Sequence, residues 1–408
     1  MSKDKKILIL HDRFKFKGGA ERLVLTMAQA LKADIATEYW NEEESFAKNE
    51  APVKVITLGR QIKHLGLSYF SAQWRFFWRA KFINHYETII FSGNNCLSAA
   101  WRAPQARKIM YCHTPVRYAY DLKNYYYQKY PAYARPIFLL FVILARIIYQ
   151  WGIKKMNLVL ANSKNVQARL QHYCGVPSEV VYPPIISFCH SESRAVRDEE
   201  SISAHRSIID PSFRSASLHF TQDDNKDIGM TKKKRDYYLS FGRLDPLKRV
   251  DDIVRAFHLM PWQKLIVASG GPELTRIKQL AAGHDNIEVL GFVDDAKLAE
   301  LVGNCIANIY IPRQEDFGMT PLEAAAASKP TIGVDDGGLR ETIIHQKTGY
   351  LIPKDYAVED LVKAVQWLDA DKAAAMSAEC RKQAEKFSKE KFVEEIKNYI
   401  THNTSASK

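Results

Sequence analysis

The chain has 408 residues, 46% of them apolar and 25% charged, which is too long for one ordinary core, implies two domains of about 200 residues each and excludes a disordered chain. Six cysteines, at positions 96, 112, 174, 189, 305 and 380, include no CxxC pair, so neither a zinc site nor a disulfide framework is indicated and a reducing compartment is expected. The net charge of +12 is uneven: residues 1–190 hold 27 Lys+Arg against 12 Asp+Glu (+15), and residues 191–408 hold the remaining 31 against 34 (−3).

A first half so basic is expected to meet something anionic, a phospholipid surface or nucleic acid. No helix-turn-helix, zinc-finger or RRM-type motif accompanies the charge, so nucleic acid is not expected as a partner. Lys6-Ile7-Leu8-Ile9-Leu10-His11 reads as a first parallel strand. It is too short and too early for a signal-peptide core, and a cytoplasmic protein is expected. The strand feeds Gly18-Gly19-Ala20-Glu21-Arg22, after which Leu23, Met27, Ala30 and Leu31 recur at helical spacing. This is not the GxGxxG fingerprint, and by itself it is as readily a turn as a site.

Residues 34–37, 53–56, 88–91 and 108–111 read as further short strands alternating with helices, the pattern of a doubly wound α/β sheet. Tyr69 to Phe82 sets Phe70, Trp74, Phe76, Phe77, Trp78 and Phe82 beside Arg75, Arg79 and Lys81. Such a segment suits a membrane interface, or equally a core helix with a basic outer face. In Tyr111-Cys112-His113-Thr114-Pro115, a strand end projects His113 toward an interdomain cleft. Tyr125-Tyr126-Tyr127 and the apolar run Pro136 to Gly152 offer a second surface. That run is interrupted by Arg146 and is shorter than the roughly 20 residues a spanning helix needs, so no crossing is expected. From Ser187 to about Lys234, serines and charges replace any apolar period, and an insertion at a linker is expected.

The second half opens on the strand Tyr237 to Phe241. Arg243 and Lys248, five residues apart, could reach one diphosphate from the following loop, or could be surface salt-bridge residues. Strands at 264–269, 287–290, 307–311 and 331–334 follow, with glycine turns at Gly270-Gly271 and Gly337-Gly338. The stretch Glu315-Asp316-Phe317-Gly318-Met319-Thr320-Pro321-Leu322-Glu323 is an acidic loop entering a helix. Thr320 is expected as N-cap, Pro321 as first helical residue and Glu323 as the reciprocal member of a capping box. On this pattern Glu323 could be a cap alone. The loop nevertheless sits at a strand's carboxyl end, where open α/β sheets bind ligands, and helix N–H groups there can hold an anion.

The successive segments 241–249, 269–274 and 315–323, together with the Gly-Gly-Ala-Glu loop, resemble the signatures of glycosyltransferase family 4 over nearly the whole chain except residues 187–234. The resemblance implies the GT-B fold: two Rossmann-like α/β domains facing a central cleft. Residues 1–186 would bind acceptor, 187–234 form an insertion, 235–380 bind a nucleotide-sugar, and 381–408 form a tail and a helix crossing back to the first domain. It also implies roles. Glu323 would hold the ribose hydroxyls, Glu315 the transferred sugar, and Arg243 and Lys248 the diphosphate. Gly18, Gly19, Gly271, Phe317, Gly318, Met319 and Thr320 would complete the donor site.

The Cys-His-Thr-Pro segment followed by Arg-Tyr and Asp121 is similar to a mannosyltransferase-like subgroup of polysaccharide synthesis, with His113 facing the donor sugar. A retaining transfer is therefore expected, from GDP-mannose or alternatively a UDP-sugar, to a lipid-linked saccharide at the inner face of a membrane. No Asp-x-Asp motif occurs in a plausible loop, so no metal is expected to be required. The other classes are a non-catalytic sugar-nucleotide-binding scaffold and a nucleic-acid-binding protein.

Overall fold

The computed structural model describes residues 6–185 and 236–401, apart from residues 16, 52, 63 and 64. The insertion read at 187–234 lies outside the described residues. Each half of the chain builds one parallel sheet. The first comprises β1 (Ile7–His11), β2 (Asp34–Thr37), β3 (Val55–Thr57), β4 (Thr88–Ser92), β5 (Arg107–Cys112), β6 (Leu158–Ala161) and β7 (Glu179–Val180). Their order is β3-β2-β1-β4-β5-β6-β7.

The second sheet holds β8 (Tyr237–Phe241), β9 (Lys264–Ala268), β10 (Ile287–Val289), β11 (Asn308–Tyr310), β12 (Thr331–Val334) and β13 (Gly349–Ile352). Its order, β10-β9-β8-β11-β12-β13, repeats the same winding. Both sheets reverse direction between their first and fourth strands, and the crevice beyond the carboxyl ends of those strands is where doubly wound folds bind ligands. The winding has a sequence cause. These strands are short apolar runs buried on both faces, so helices must cover each side. Leu8, Leu10, Ile89 and Phe91 point to one core of the first domain, and Ile9, Ile35 and Ile90 to the other.

Four helices of the first domain matter below: α1 (Gly19–Leu31), α2 (Leu65–Trp78), α3 (Lys123–Lys129) and α4 (Arg135–Ile153). A fifth, α5 (Lys164–Cys174), begins at Ser163, whose side chain accepts the N–H of Val166. In the second domain the helix Ser377–Glu385 still packs into the local core through Cys380 and Ala384. The helix Lys389–Thr401 crosses back, burying Phe392, Ile396 and Ile400 among β1 and α1 residues. Arg107 fixes its end by donating to the Tyr399 and Ile400 carbonyls at 2.7 and 2.6 Å.

Two expectations need correction. The apolar run is longer than its sequence limits suggested: Ala132–Ile153 forms 22 helical residues, long and apolar enough to cross a membrane by length and composition. Its packing argues for another placement. Phe138, Val142, Ala145, Tyr149 and Ile153 are buried in the domain, while Ile137, Leu140, Ile143 and Trp151 are exposed. Arg146, the interruption, donates to the Ala119 carbonyl at 2.6 Å. The second correction concerns Arg75, which is no surface cation. It pairs with buried Glu38 at 3.1 Å and donates to the Arg60 carbonyl.

Candidate functional site

The second domain's contribution begins after β8. Asp245 caps a single tight turn, Pro246–Lys248, by accepting the Leu247 N–H at 3.1 Å. Arg313 N–H, just beyond β11, bonds the Leu247 carbonyl, so the two loops that follow neighbouring strands are held together. The turn aims Lys248 at the acidic loop: its Nζ lies 2.7 Å from Glu315 Oε2 and 2.5 Å from the Tyr310 hydroxyl, which donates to the same carboxylate at 2.9 Å. Burial works against the charge on Lys248, but Tyr310 and Glu315 outweigh it and hold the lysine above its ordinary range. For Glu315 burial likewise opposes ionisation, yet Lys248 wins and lowers its pKa. Arg243 stands exposed on the same loop.

The acidic loop is itself shaped by a glycine pair. Gly337 has a φ of +57°, and a Cβ there would lie 2.3 Å from the Glu315 carbonyl oxygen. Gly338 N–H donates to that same oxygen at 2.9 Å. This is the physical reason for the Gly-Gly turn noted in the sequence: backbone passes against backbone, leaving no room for side chains.

The helix after the loop does not begin as expected. It runs Met319–Ala326 with Gly318 as N-cap at φ +99° and no side-chain cap bond. Thr320 is therefore a buried residue inside the first turn, and no capping box forms. The helix starts two residues early at Gly318, whose left-handed φ and close packing, with a Cβ there 2.7 Å from Leu339 Cδ2, suit glycine alone. Glu323, past the first turn, is engaged by no side-chain hydrogen bond among the described residues. Burial pushes its pKa up to about 7; Arg22 partly offsets this and Asp295 adds to it. A carboxyl held near neutrality without a structural partner is a functional candidate.

From the first domain, Gly18 caps α1 and lies beneath the Glu21 carboxylate, where a Cβ would meet Oε2 at 2.5 Å. Gly19 meets nothing within 4 Å and opens on the cleft. His113 shares a 2.7 Å hydrogen bond through Nε2 with Ser92 Oγ. Loss of hydration, assisted by the nearby His11, lowers its pKa to about 3, so the ring is neutral.

A cavity of about 300 Å³ joins the halves. Gly19, His113, Thr114 and Asn162 line one wall, and Glu315, Phe317, Gly318 and Met319 the other. Gly18, Arg243, Lys248, Gly271, Thr320 and Glu323 are not among its lining residues. Gly271 has a structural reason of its own, since a Cβ would lie 2.3 Å from the Leu244 carbonyl oxygen in the Lys248 loop. The Phe317 ring is buried and stacked on Tyr182, 5.6 Å between centroids. Two elements escaped the sequence reading. Tyr310 looked like one more residue of a buried strand, and Arg169, which comes from a distant helix to pair with Asp121 beside Arg117, carried no signal. Among the described residues no group of three or more His, Cys, Asp or Glu is placed to hold a metal ion.

Residues 17–186 match the family described as Glycosyltransferase Family 4, and residues 221–387 match Glycosyl transferases group 1. The chain belongs to glycosyltransferase family 4. Among curated relatives, mouse alpha-1,3/1,6-mannosyltransferase ALG2 is 26% identical over 222 residues, 48% of this chain and 53% of that protein. The N-acetyl-alpha-D-glucosaminyl L-malate synthase of Bacillus anthracis is 30% identical over 188 residues, 43% of this chain and 46% of that protein. The chain thus spans about half the length of the curated relatives it matches.

Among solved structures, sucrose-phosphate synthase from Thermosynechococcus elongatus superposes with a TM-score of 0.71 at 16% identity, covering 99% of this chain and 100% of that one. Anabaena Alr3699/HepE, solved in complex with UDP, gives 0.69 at 15% identity over 97% and 100% of the two chains. At such identities the likeness is one of fold, and this family 4 chain has the GT-B architecture.

Proposed function

We propose that this family 4 chain is a retaining hexosyltransferase that moves mannose from GDP-mannose onto a lipid-linked saccharide at the inner, anionic face of a membrane. The observation that carries the reading is the interdomain cavity, where Gly19 and His113 of one domain face Glu315 and Gly318 of the other. Donor chemistry requires a cation at the departing diphosphate, and Lys248 is held charged against Glu315, a residue of the cavity wall. Arg243 and the N–H groups opening the helix Met319–Ala326 add positive potential without a metal. His113, being neutral, offers a hydrogen bond to a sugar hydroxyl at any physiological pH.

In the proposed step the acceptor oxygen bonds to the anomeric carbon as the carbon–phosphate oxygen bond breaks on the same face. The acceptor's proton passes to the leaving phosphate, and nucleoside diphosphate departs. The resemblance of the Cys112-His113-Thr114-Pro115 segment supports GDP-mannose, and the likeness to the mannosyltransferase ALG2 supports mannose alone; HepE, solved with UDP, keeps the UDP-sugar alternative.

A thermal-shift panel of GDP, UDP and ADP tests the donor. A nucleotide at 100 times its dissociation constant adds about 2.7 kcal/mol of stability. GDP alone is expected to raise the melting temperature, and GDP-mannose to be consumed with an anomer-retaining product. Stabilisation by UDP alone would move the assignment to a UDP-sugar, and silence from all three would remove the nucleotide site.

A further inference from the structure

The acidic loop of the second domain is gripped by the first domain through a closed ring of charges. Arg117 follows the His113 segment, Asp121 lies one turn further on, and Arg169 sits within α5. Arg169 Nη2 pairs with Asp121 Oδ1 at 2.8 Å, and Arg117 Nε pairs with Asp121 Oδ2 at 3.3 Å. Both arginines then cross the domain boundary to one carboxylate, Asp316, with Arg169 in direct contact and Arg117 at 3.7 Å. Two cations and two anions alternate, so the ring is neutral, and its side chains are at most 22% exposed. A partly buried, balanced and bidentate arrangement of this kind has defined geometry as well as energy.

Backbone contacts follow the same route. Arg117 Nη2 donates to the Gln314 carbonyl at 2.7 Å, Ser163 Oγ to the Asp316 carbonyl at 2.7 Å, and Asn165 Nδ2 to the Glu315 carbonyl at 3.1 Å. Asn162, next to Ser163, donates to the His113 carbonyl at 2.9 Å. In return Glu341 of the second domain accepts the Lys164 and Asn165 N–H groups, both at 2.9 Å, at the start of α5. The residues on either side of the cavity, His113 and Glu315, are therefore tied to one frame.

We propose that Arg117, Asp121, Arg169 and Asp316 form an interdomain clasp that fixes the separation of His113 from Glu315 when the cleft closes. They are positioning residues and need touch no substrate. Ground for this lies in the arrangement itself: none of the four lies in a strand of either sheet, and every bond of Asp316 to an arginine runs between domains. A clasp of this kind couples closure to the geometry of the reacting groups, and a displacement of about 1 Å in such geometry can cost about 100-fold in rate.

The test uses the full chain carrying spin labels at Glu43→Cys and Lys278→Cys, two exposed positions in different domains. Interdomain distances are measured with and without GDP, and with UDP if the thermal panel favours it. Arg169→Met should widen the distance distribution, with Arg169→Lys restoring part of it. Because Arg169→Met leaves two carboxylates facing each other, Arg169→Met/Asp121→Asn removes one charge of each sign and should give the same widening at a nearly unchanged melting temperature. A distribution identical to the parent's in the folded double variant overturns the clasp.

The kinetic arm rests on the transfer reading proposed above: kcat should fall about 10–100-fold with the nucleotide dissociation constant changed less than about threefold. Equal losses in both overturn a positioning role. A parent chain without turnover would count against the transfer reading alone, since the distance measurement needs no activity.

Discussion

Glu323 shows how a single residue's role turns on where a helix starts. In the sequence, Thr320 and Glu323 have the spacing of a capping box, but the early start at Gly318 leaves the Glu323 carboxyl without that duty. Its pKa of about 7, raised from 4.5, carries a sign that can be checked. The folded chain holds a proton that the unfolded chain releases between pH 4.5 and 7, so this group's contribution to stability falls as pH rises through that window. The cost above pH 7 is up to about 3 kcal/mol, with solvent screening reducing it. Glu323→Gln should therefore melt higher than the parent at pH 8 and close to it at pH 5, as read by calorimetry. If the proposed ribose contact is right, GDP affinity of the parent should also rise between pH 6 and 8, because the carboxylate is the better acceptor, while the Gln variant stays flat. A parent less stable at pH 5 than at pH 8 on account of this residue would contradict the assignment. Lys248→Ala carries a different expectation. It strips a partly buried Glu315 of its cation, so about 1–3 kcal/mol of stability should be lost along with orders of magnitude in turnover. Arg243→Ala, on an exposed loop, should lose turnover with little change in stability.

At the scale of elements, most strands were legible because each is a short apolar run bounded by turn residues, and Tyr237–Phe241 falls where its residues place it. β13 was missed, since Gly349-Tyr350-Leu351-Ile352 follows a polar turn and offers only four residues, two of them half-buried. The site was legible where its residues share a loop, as Glu315 to Met319 do. It was illegible where partners come from distant segments, as with Arg169 and Asp121, Arg117 and Asp316, or Lys248 and Tyr310, because periodicity carries no information about which loops meet. Local glycine chemistry was half legible. Gly337-Gly338 could be read as a turn, but the reason for it, direct contact with the Glu315 and Asp316 backbone, belongs to the fold. A Cβ at Gly338 would meet the Asp316 carbonyl oxygen and Phe317 Cα, both at 2.4 Å. Neither is the yielding end of a side chain, so Gly338→Ala must displace the acidic loop. A loss of about 1–3 kcal/mol in denaturant unfolding is expected, together with reduced turnover. Parent-like stability would mean that the two loops can part without cost.

For the whole molecule, the +15 carried by residues 1–190 and the apolar outer face of α4 belong to the same domain and call for one explanation. Tyr69 and Phe70 of α2 meet Phe141 of α4 edge-on, at 5.2 and 6.0 Å between centroids, so the exposed Trp74 and Trp78 continue the surface begun by Ile137, Leu140 and Ile143. Cations border the rings: Arg79 lies over Trp74, Arg102 over Trp78 and Arg135 over Tyr127. An apolar stripe edged by aromatic and basic residues matches a helix lying in the headgroup region. Each Lys or Arg near an anionic leaflet would contribute about 1 kcal/mol, and the exposed stripe, once inserted, would add a part that salt does not screen. Co-sedimentation with vesicles of stated phosphatidylserine content is the measurement. Binding should rise with anionic lipid and fall, though not to zero, with salt. Leu140→Glu/Ile143→Glu should remove the salt-resistant part at an unchanged melting temperature, since both side chains already face solvent. Arg79→Glu/Lys81→Glu should remove some of the salt-sensitive part. Arg75→Glu is the contrast: it sets a second carboxylate against buried Glu38, so it should lower stability instead of tuning attachment. Equal sedimentation with neutral and anionic vesicles, or none with either, would detach the basic domain from a membrane partner and leave the exposed face of α4 to be explained by another kind of contact.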